Sequence, residues 1–262
     1  MQDVRAMPPV QRRLEALMDR AIDTLETLLD DPALPADRRA DLALRMLDIA
    51  LAGETKAAAV ESVSGVLPAR CFSIPDFLAP DLHAAAVEIA LQSRDRFVAS
   101  AVTTAEPGYR RSRVLFEDSM PGLYPAMRQE IMAVLPAVCT ALVRPAFAPA
   151  HVELHMTVHG DGDFFKVHSD KAAPEIARRE ITFVYYFMVR QPNGFSGGTL
   201  RVYDTIDTAA PRHDPARFQD VVPEDNMIVF FESHLLHEVL PLHVPSGRFE
   251  DGRFTLNGWL HR

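Results

Sequence analysis

His151-Val152-Glu153-Leu154-His155-Met156-Thr157-Val158 decides the fold class. Val152, Leu154, Met156 and Val158 alternate with His151, Glu153, His155 and Thr157, the period-two pattern of a strand with one buried face. Outward from it, strands are expected at Glu180–Arg190, Thr199–Asp204, Met227–Phe231, Glu238–Leu242 and Arg253–His261, separated by turns such as Gln191-Pro192-Asn193-Gly194, Ser246-Gly247 and Asp251-Gly252. Short strands spaced in this way indicate a sandwich or barrel rather than a parallel α/β sheet. Upstream, Arg70–Ile74 and Arg111–Phe116 read as extended. Pro80-Asp81 opens a helix to about Gln92, and Gly122–Leu142 reads as a helix despite Pro125 and Pro136.

The composition changes near residue 70. All ten histidines and every aromatic residue lie beyond it. Before it, Val10, Leu14, Leu17, Ala21, Leu25 and Leu28 recur at helical spacing, Pro32 and Pro35 interrupt, and a second helix is expected over about Ala36–Ala52. The expectation is therefore a helical hairpin over residues 1–66, a packing element that could pair two chains, followed by a mainly β domain with flanking helices over residues 67–262.

The chain has 262 residues and a formal charge of −9. That charge argues against a nucleic-acid partner or a membrane surface. Cys71 and Cys139 are too far apart in sequence for a CxxC, so no disulfide scaffold is expected. The apolar run Ile131–Val143 is broken by Pro136 and is too short to span a bilayer. A cytoplasmic protein is the resulting expectation.

The chemistry concentrates in His159-Gly-Asp-Gly-Asp-Phe-Phe-Lys-Val-His168-Ser-Asp170. In an extended segment His168 and Asp170 leave the same face. His237, in Phe230-Phe-Glu-Ser-His-Leu-Leu-His237, can supply a third ligand. Two imidazoles and one carboxylate leave coordination positions open, which suits Fe(II) chemistry with oxygen better than a calcium cage. Other motifs read as inert. Asp161 and Asp163 lack the glycine and glutamate of a calcium loop and form a solvated turn. His234 is expected in a turn. Gly194-Phe-Ser196-Gly-Gly198 matches a nucleophile elbow, but Pro192 precedes it and a strand pattern follows it, against a serine hydrolase using Ser196.

The order HxD, Tyr185-Tyr186, Ser196-Gly-Gly-Thr-Leu200, His237-Glu-Val-Leu-Pro and Arg253-x5-Trp259 resembles the Fe(II)/2-oxoglutarate-dependent dioxygenases, specifically the prolyl 4-hydroxylase-like catalytic domain. The resemblance covers roughly residues 70–262. It implies a double-stranded β-helix (jelly roll), iron held by His168, Asp170 and His237, and 2-oxoglutarate and O2 as co-substrates, and it adds ascorbate to the candidate cofactors. It implies that Arg253 holds the far carboxylate of 2-oxoglutarate, a task that suits a guanidinium fork. The interval from His237 to Arg253 is longer than usual in that family, and Arg248 fits the usual spacing better. Arg248 nevertheless lies in what reads as an inserted loop, so Arg253 is preferred and Arg248 is the reserve. Tyr186 and His159 are the further co-substrate residues, with His159 standing where the family often has tyrosine. Trp259 and Asn257 share the face of Arg253 and are placed at the reacting centre. Related halogenases replace the iron carboxylate with a small residue, so Asp170 implies hydroxylation, with release of succinate and CO2. A non-catalytic ligand-binding jelly roll, used as a sensor or scaffold, is the alternative. Segments 103–113 and 207–220 are expected as irregular loops framing the entrance, and Ser112, Arg113 and Arg190 as candidate substrate contacts.

Overall fold

The computed structural model describes residues 66–100, 108–206 and 211–262. The helical hairpin expected over residues 1–66, with any pairing of chains through it, lies outside them except for Val66. Fifteen strands are named in chain order. They are β1 (Val66–Leu67), β2 (Cys71–Ile74), β3 (Val98–Ala99), β4 (Arg110–Arg111), β5 (Arg113–Phe116), β6 (His151–His159), β7 (Phe164–His168) and β8 (Arg179–Phe187). They continue with β9 (Ser196–Gly197), β10 (Leu200–Ile206), β11 (Arg212–Val221), β12 (Met227–Glu232), β13 (His237–Val239), β14 (Leu242–His243) and β15 (Arg253–His261). Among the described residues the α-helices are α1 (Pro80–Gln92) and α2 (Leu123–Ala141).

A seven-stranded sheet runs β2-β12-β8-β15-β6-β5-β3, and a six-stranded sheet runs β1-β10-β13-β7-β4 with β11 on the side of β10. All their pairings are antiparallel. This is the jelly-roll plan expected from the sequence.

Strand alternation assigns the larger sheet two different faces. Phe254, Leu256 and Leu260 of β15, Phe183 and Tyr185 of β8, and Met156 and Val158 of β6 pack with Met127, Ile131 and Leu135 of α2 and Ala86 and Ala90 of α1. The buried i, i+4 series of α2 is what makes it a helix with one apolar stripe. Pro at the start of α1 and Asp81 in its first turn suit an N-terminus that lacks donors' partners. On the opposite face Val184, Tyr186, Met227, Val229 and Phe231 form a smaller core with Leu200, Val202, Val221 and Leu235. The functional residues of β6, β8 and β15 emerge on this inner face.

Gly258 shows how tightly the outer face is closed. A Cβ there would lie 2.2 Å from the Glu153 carbonyl oxygen and 2.2 Å from the Phe183 ring. Gly258→Ala is therefore expected to lower stability by about 3 kcal/mol, the upper end for overpacking, read as a drop in the denaturant midpoint.

The structure corrects two expectations. Much of the entrance loop expected at 207–220 is β11, a full strand paired to β10 from Leu200↔Val221 to Ile206↔Arg212. Nearly all of it is exposed on both faces, so it carries no alternation, and Pro215 marks it as an edge. Likewise Arg110–Arg111 and Arg113, placed in the loop 103–113, belong to β4 and β5. The strand expected at Glu238–Leu242 is divided into β13 and β14, and Pro241 stands at the break.

Candidate metal and co-substrate site

Strands β7 and β13 are neighbours, and their register sets His168 opposite His237. The two imidazoles consequently meet with ring centroids 4.2 Å apart. Asp170 follows β7 by two residues and turns back between them. Its Oδ1 is 3.7 Å from His168 Nε2 and its Oδ2 is 3.4 Å from His237 Nε2. One ligand atom from each residue falls within a mutual 4.8 Å, a separation that one cation can bridge. Among the described residues this is the cluster of His, Cys, Asp and Glu groups with that property.

The ring orientations are set by the backbone. His168 Nδ1 is 2.8 Å from the Lys166 carbonyl and His237 Nδ1 is 2.9 Å from the Leu235 carbonyl. A carbonyl only accepts, so each Nδ1 carries the proton and each Nε2 presents a lone pair to the gap. Thr182 donates to Asp170 Oδ2 at 2.9 Å and lies 3.0 Å from the Ser233 hydroxyl, fixing the carboxylate from behind. Burial, followed by the neighbouring His237, pushes His168 down to about 3. Burial alone would raise Asp170, but His237, His168 and a weaker pull from the Trp259 indole N–H outweigh it and hold the carboxyl well below its usual range. Neutral imidazoles and an ionised carboxylate are the states that ligate a cation.

A second cluster sits deeper. Arg253 is 2% exposed and Tyr186 fully buried, with the guanidinium carbon 4.9 Å from the Tyr186 ring centre. Register places Arg253 opposite His159 and Tyr186 opposite Thr255. Among the described residues, Arg253 Nε, Tyr186 Oη, both His159 ring nitrogens and Thr255 Oγ1 are buried without a hydrogen-bond partner. Buried polar groups are nearly always paired, so four neighbouring residues in this state describe a pocket shaped for an oxygen-rich anion. A dicarboxylate reaching from the metal to Arg253 fits that demand. Burial, with the nearby Arg253 and Arg110 charges, drives His159 well below its usual value, leaving it neutral.

The glycine pair of Ser196-Gly-Gly belongs to this pocket. Gly197 and Gly198 have φ of +75° and +67°. A Cβ on Gly198 would meet Leu242 Cδ1 at 2.1 Å and the Arg253 stem at 2.8 Å. Only glycine combines that backbone with that approach.

The other expected residues fall as follows. The Arg248 guanidinium is largely exposed and bonded to Asp251, with Nε 2.8 Å from Oδ2, away from the pocket. Asn257 donates to Thr157 Oγ1 at 2.7 Å. Trp259 is stacked under Arg179, 3.6 Å from ring centre to guanidinium carbon, and beside His155. Ser196 is exposed on β9, followed by β10 and not by a helix, so the elbow geometry is missing. His234 lies in the turn after β12. Asp161 and Asp163 form a turn too, but a tied one, with Asp161 accepting from Val244 N and Asp163 from Arg111 Nε. Arg113 covers the Phe249 ring and Arg190 pairs with Asp251, so neither faces the metal cluster. Arg110, His155, Thr182 and Ser233 escaped the sequence reading. Only the inward parity of Thr182 on β8 carried a signal.

Burial holds His155 at about 3 as well, with Arg110 and Arg179 adding to it. Between their unfolded value near 6.5 and about 3, His155 and His168 remain neutral in the fold but take protons in the unfolded chain. Stability of the metal-free protein should therefore fall as pH drops through that window, by about 1.4 kcal/mol per pH unit for each group, read from unfolding midpoints at pH 7 and pH 5.

Fold and site together describe a jelly-roll protein in which two imidazoles and a carboxylate converge near a buried arginine pocket, a ligand set that suits a divalent metal with open positions. A family described as the 2OG-Fe(II) oxygenase superfamily matches residues 154–261. An uncharacterised PKHD-type hydroxylase of Synechocystis sp. is 32% identical over 283 residues, covering 95% of this chain and 93% of its own length. Among solved structures, a Pseudomonas putida prolyl-4-hydroxylase superposes with a TM-score of 0.52 at 24% identity, over 74% of this chain and 94% of that one. A Trichoplax adhaerens prolyl hydroxylase, solved with a hypoxia inducible factor peptide fragment, gives 0.52 at 14% identity, over 73% and 83%. The chain belongs to the 2OG-Fe(II) oxygenases, as a prolyl 4-hydroxylase-like, PKHD-type hydroxylase. Among the described residues, no helix is long and apolar enough to cross a membrane.

Proposed function

We propose that the protein hydroxylates a prolyl, peptidyl or small-molecule substrate with Fe(II), 2-oxoglutarate and O2, releasing succinate and CO2. The supporting observation is the pairing of a two-histidine, one-carboxylate cluster with a dry pocket of unpartnered donors around Arg253. His168, Asp170 and His237 hold the metal, and Thr182 and the two backbone carbonyls orient them. Arg253 and Tyr186 hold the distal carboxylate of 2-oxoglutarate, with His159 and Thr255 lining the same pocket. Bound there, iron and 2-oxoglutarate supply an oxidative decarboxylation coupled to insertion of one oxygen atom into a substrate C–H bond. The buried inner face would exclude water from that step, with Asn257 held by Thr157 and Trp259 by Arg179 on the same strand.

Succinate formation and oxygen consumption with purified protein, Fe(II) and 2-oxoglutarate test the reading. Tight metal binding with no turnover would instead favour the sensor or scaffold. Incubation with lysate and labelled O2, followed by a search for products carrying the label, identifies the substrate. Ser196→Ala should keep full turnover, since Ser196 lies on the exposed β9 ribbon; loss of turnover with metal binding intact would revive the hydrolase reading.

A further inference from the structure

The geometry points to Arg110 as a specificity-determining residue that binds a carboxylate on the primary substrate. The inference rests on the oxygenase reading and deepens it. Arg110 lies on β4, in register with Phe165 of β7. Its guanidinium carbon is 4.7 Å from the Phe165 ring centre, and that ring stacks on His168 at 3.5 Å and 17°. One aromatic ring thus separates Arg110 from a metal ligand. Its Nε donates to Ser112 Oγ at 2.8 Å, and Ser112 is itself 2.8 Å from Ser100 Oγ. That bond fixes the plane of the guanidinium, and among the described residues neither Nη group has a hydrogen-bond or ion-pair partner, which leaves the fork that grips a carboxylate bidentately.

Charge balance supplies the second argument. Arg179 pairs with Glu153, Arg111 with Asp163, Arg144 with Glu180 and Lys171 with Glu180. Arg110 makes no ion pair among the described residues. The acid whose charge reaches it is Asp170, and a bound metal would spend that charge. Burial draws Arg110 down to about 10, against the opposing pull of Asp170. His155 and His159 beside it are held neutral and do not supply a counter-ion. Arg253 is 2% exposed, whereas Arg110 is half-buried and keeps part of its surface. One guanidinium without an ion pair among the described residues matches one carboxylate better than a polyphosphate, which would need several cations.

The test uses full-length protein and matched pairs of N-acetyl amino acids, each as free acid and as carboxamide. Aspartyl and glutamyl members with an amidated α-carboxyl separate a side-chain carboxylate from a terminal one. Succinate release above the level without panel compound, with Fe(II) and 2-oxoglutarate, is read alongside calorimetric binding to the Mn(II)-loaded protein. At least one acid should outperform its amide by tenfold or more in both readouts. Arg110→Gln should erase that preference, and Arg110→Lys, which keeps the charge without the fork, should restore part of it. The assignment is overturned if no acid outperforms its amide, or if Arg110→Gln retains the preference. It is overturned equally if Arg110→Gln weakens 2-oxoglutarate binding to the Mn(II) protein by a similar factor, since Arg110 would then serve the co-substrate. Succinate formation by the wild type without any panel compound is scored separately. Its absence together with no succinate from any panel compound faults the oxygenase reading; its presence with no acid preference faults only Arg110.

Discussion

His168→Ala, Asp170→Ala and His237→Ala should each abolish 2-oxoglutarate turnover, lowering it by a factor of about a thousand or more, and should remove tight Fe(II) or Mn(II) binding. The fold should survive. The three side chains occupy the space between the sheets and lie outside the cluster that joins the larger sheet to α1 and α2. Substituting the supporting hydroxyl, Thr182→Val, should cost less, about 10- to 100-fold in metal affinity, because the ligands remain but Asp170 loses its donor. Metal titration together with thermal unfolding checks all four. Normal turnover in any of the alanine variants would reject the metal cluster.

Arg253→Gln is the second large effect. Two charge-assisted hydrogen bonds to a carboxylate in a dry pocket amount to about 3 kcal/mol, or a rise of about a hundredfold in KM for 2-oxoglutarate. The metal ligands are untouched, so Mn(II) binding in the absence of co-substrate should stay normal. Stability without ligand should hold or rise, because a buried cation lacking an anion is removed. Arg248→Gln, on the exposed loop bonded to Asp251, should leave that KM unchanged. A KM that responds to Arg248 and not to Arg253 would reverse the assignment.

The inner and outer faces of β6, β8 and β15 were legible in the sequence because each face meets a different environment, and alternation records it. The expected co-facing of Arg253, Thr255, Asn257 and Trp259 on β15 follows from that rule and is seen in the pairing with β6 and β8. The HxD pair was legible as a motif, but Asp170 lies past the end of β7 and meets His168 from a turn, not by strand alternation. That β11 is a strand could not be read. Exposed on both faces, it has no apolar period, and its partner β10 is what makes it a strand. Arg110 was hidden differently. Nothing in Tyr109-Arg110-Arg111 separates a half-buried arginine from an exposed neighbour until β4 pairs with β7 and only one side chain turns over Phe165.

The two halves of the site hang on different sheets. His168 and His237 belong to β7 and β13 of the smaller one, while Arg253, Tyr186 and Thr182 belong to β15 and β8 of the larger. The span between metal ligands and acid pocket is thus a property of stacking, not of either strand set. Val184, Val229, Phe231, Leu200 and Val202, none of which carries a reactive atom, act as the spacer that calibrates it. Wear in that spacer would show first as decarboxylation running without product oxidation, while each half still bound its own guest.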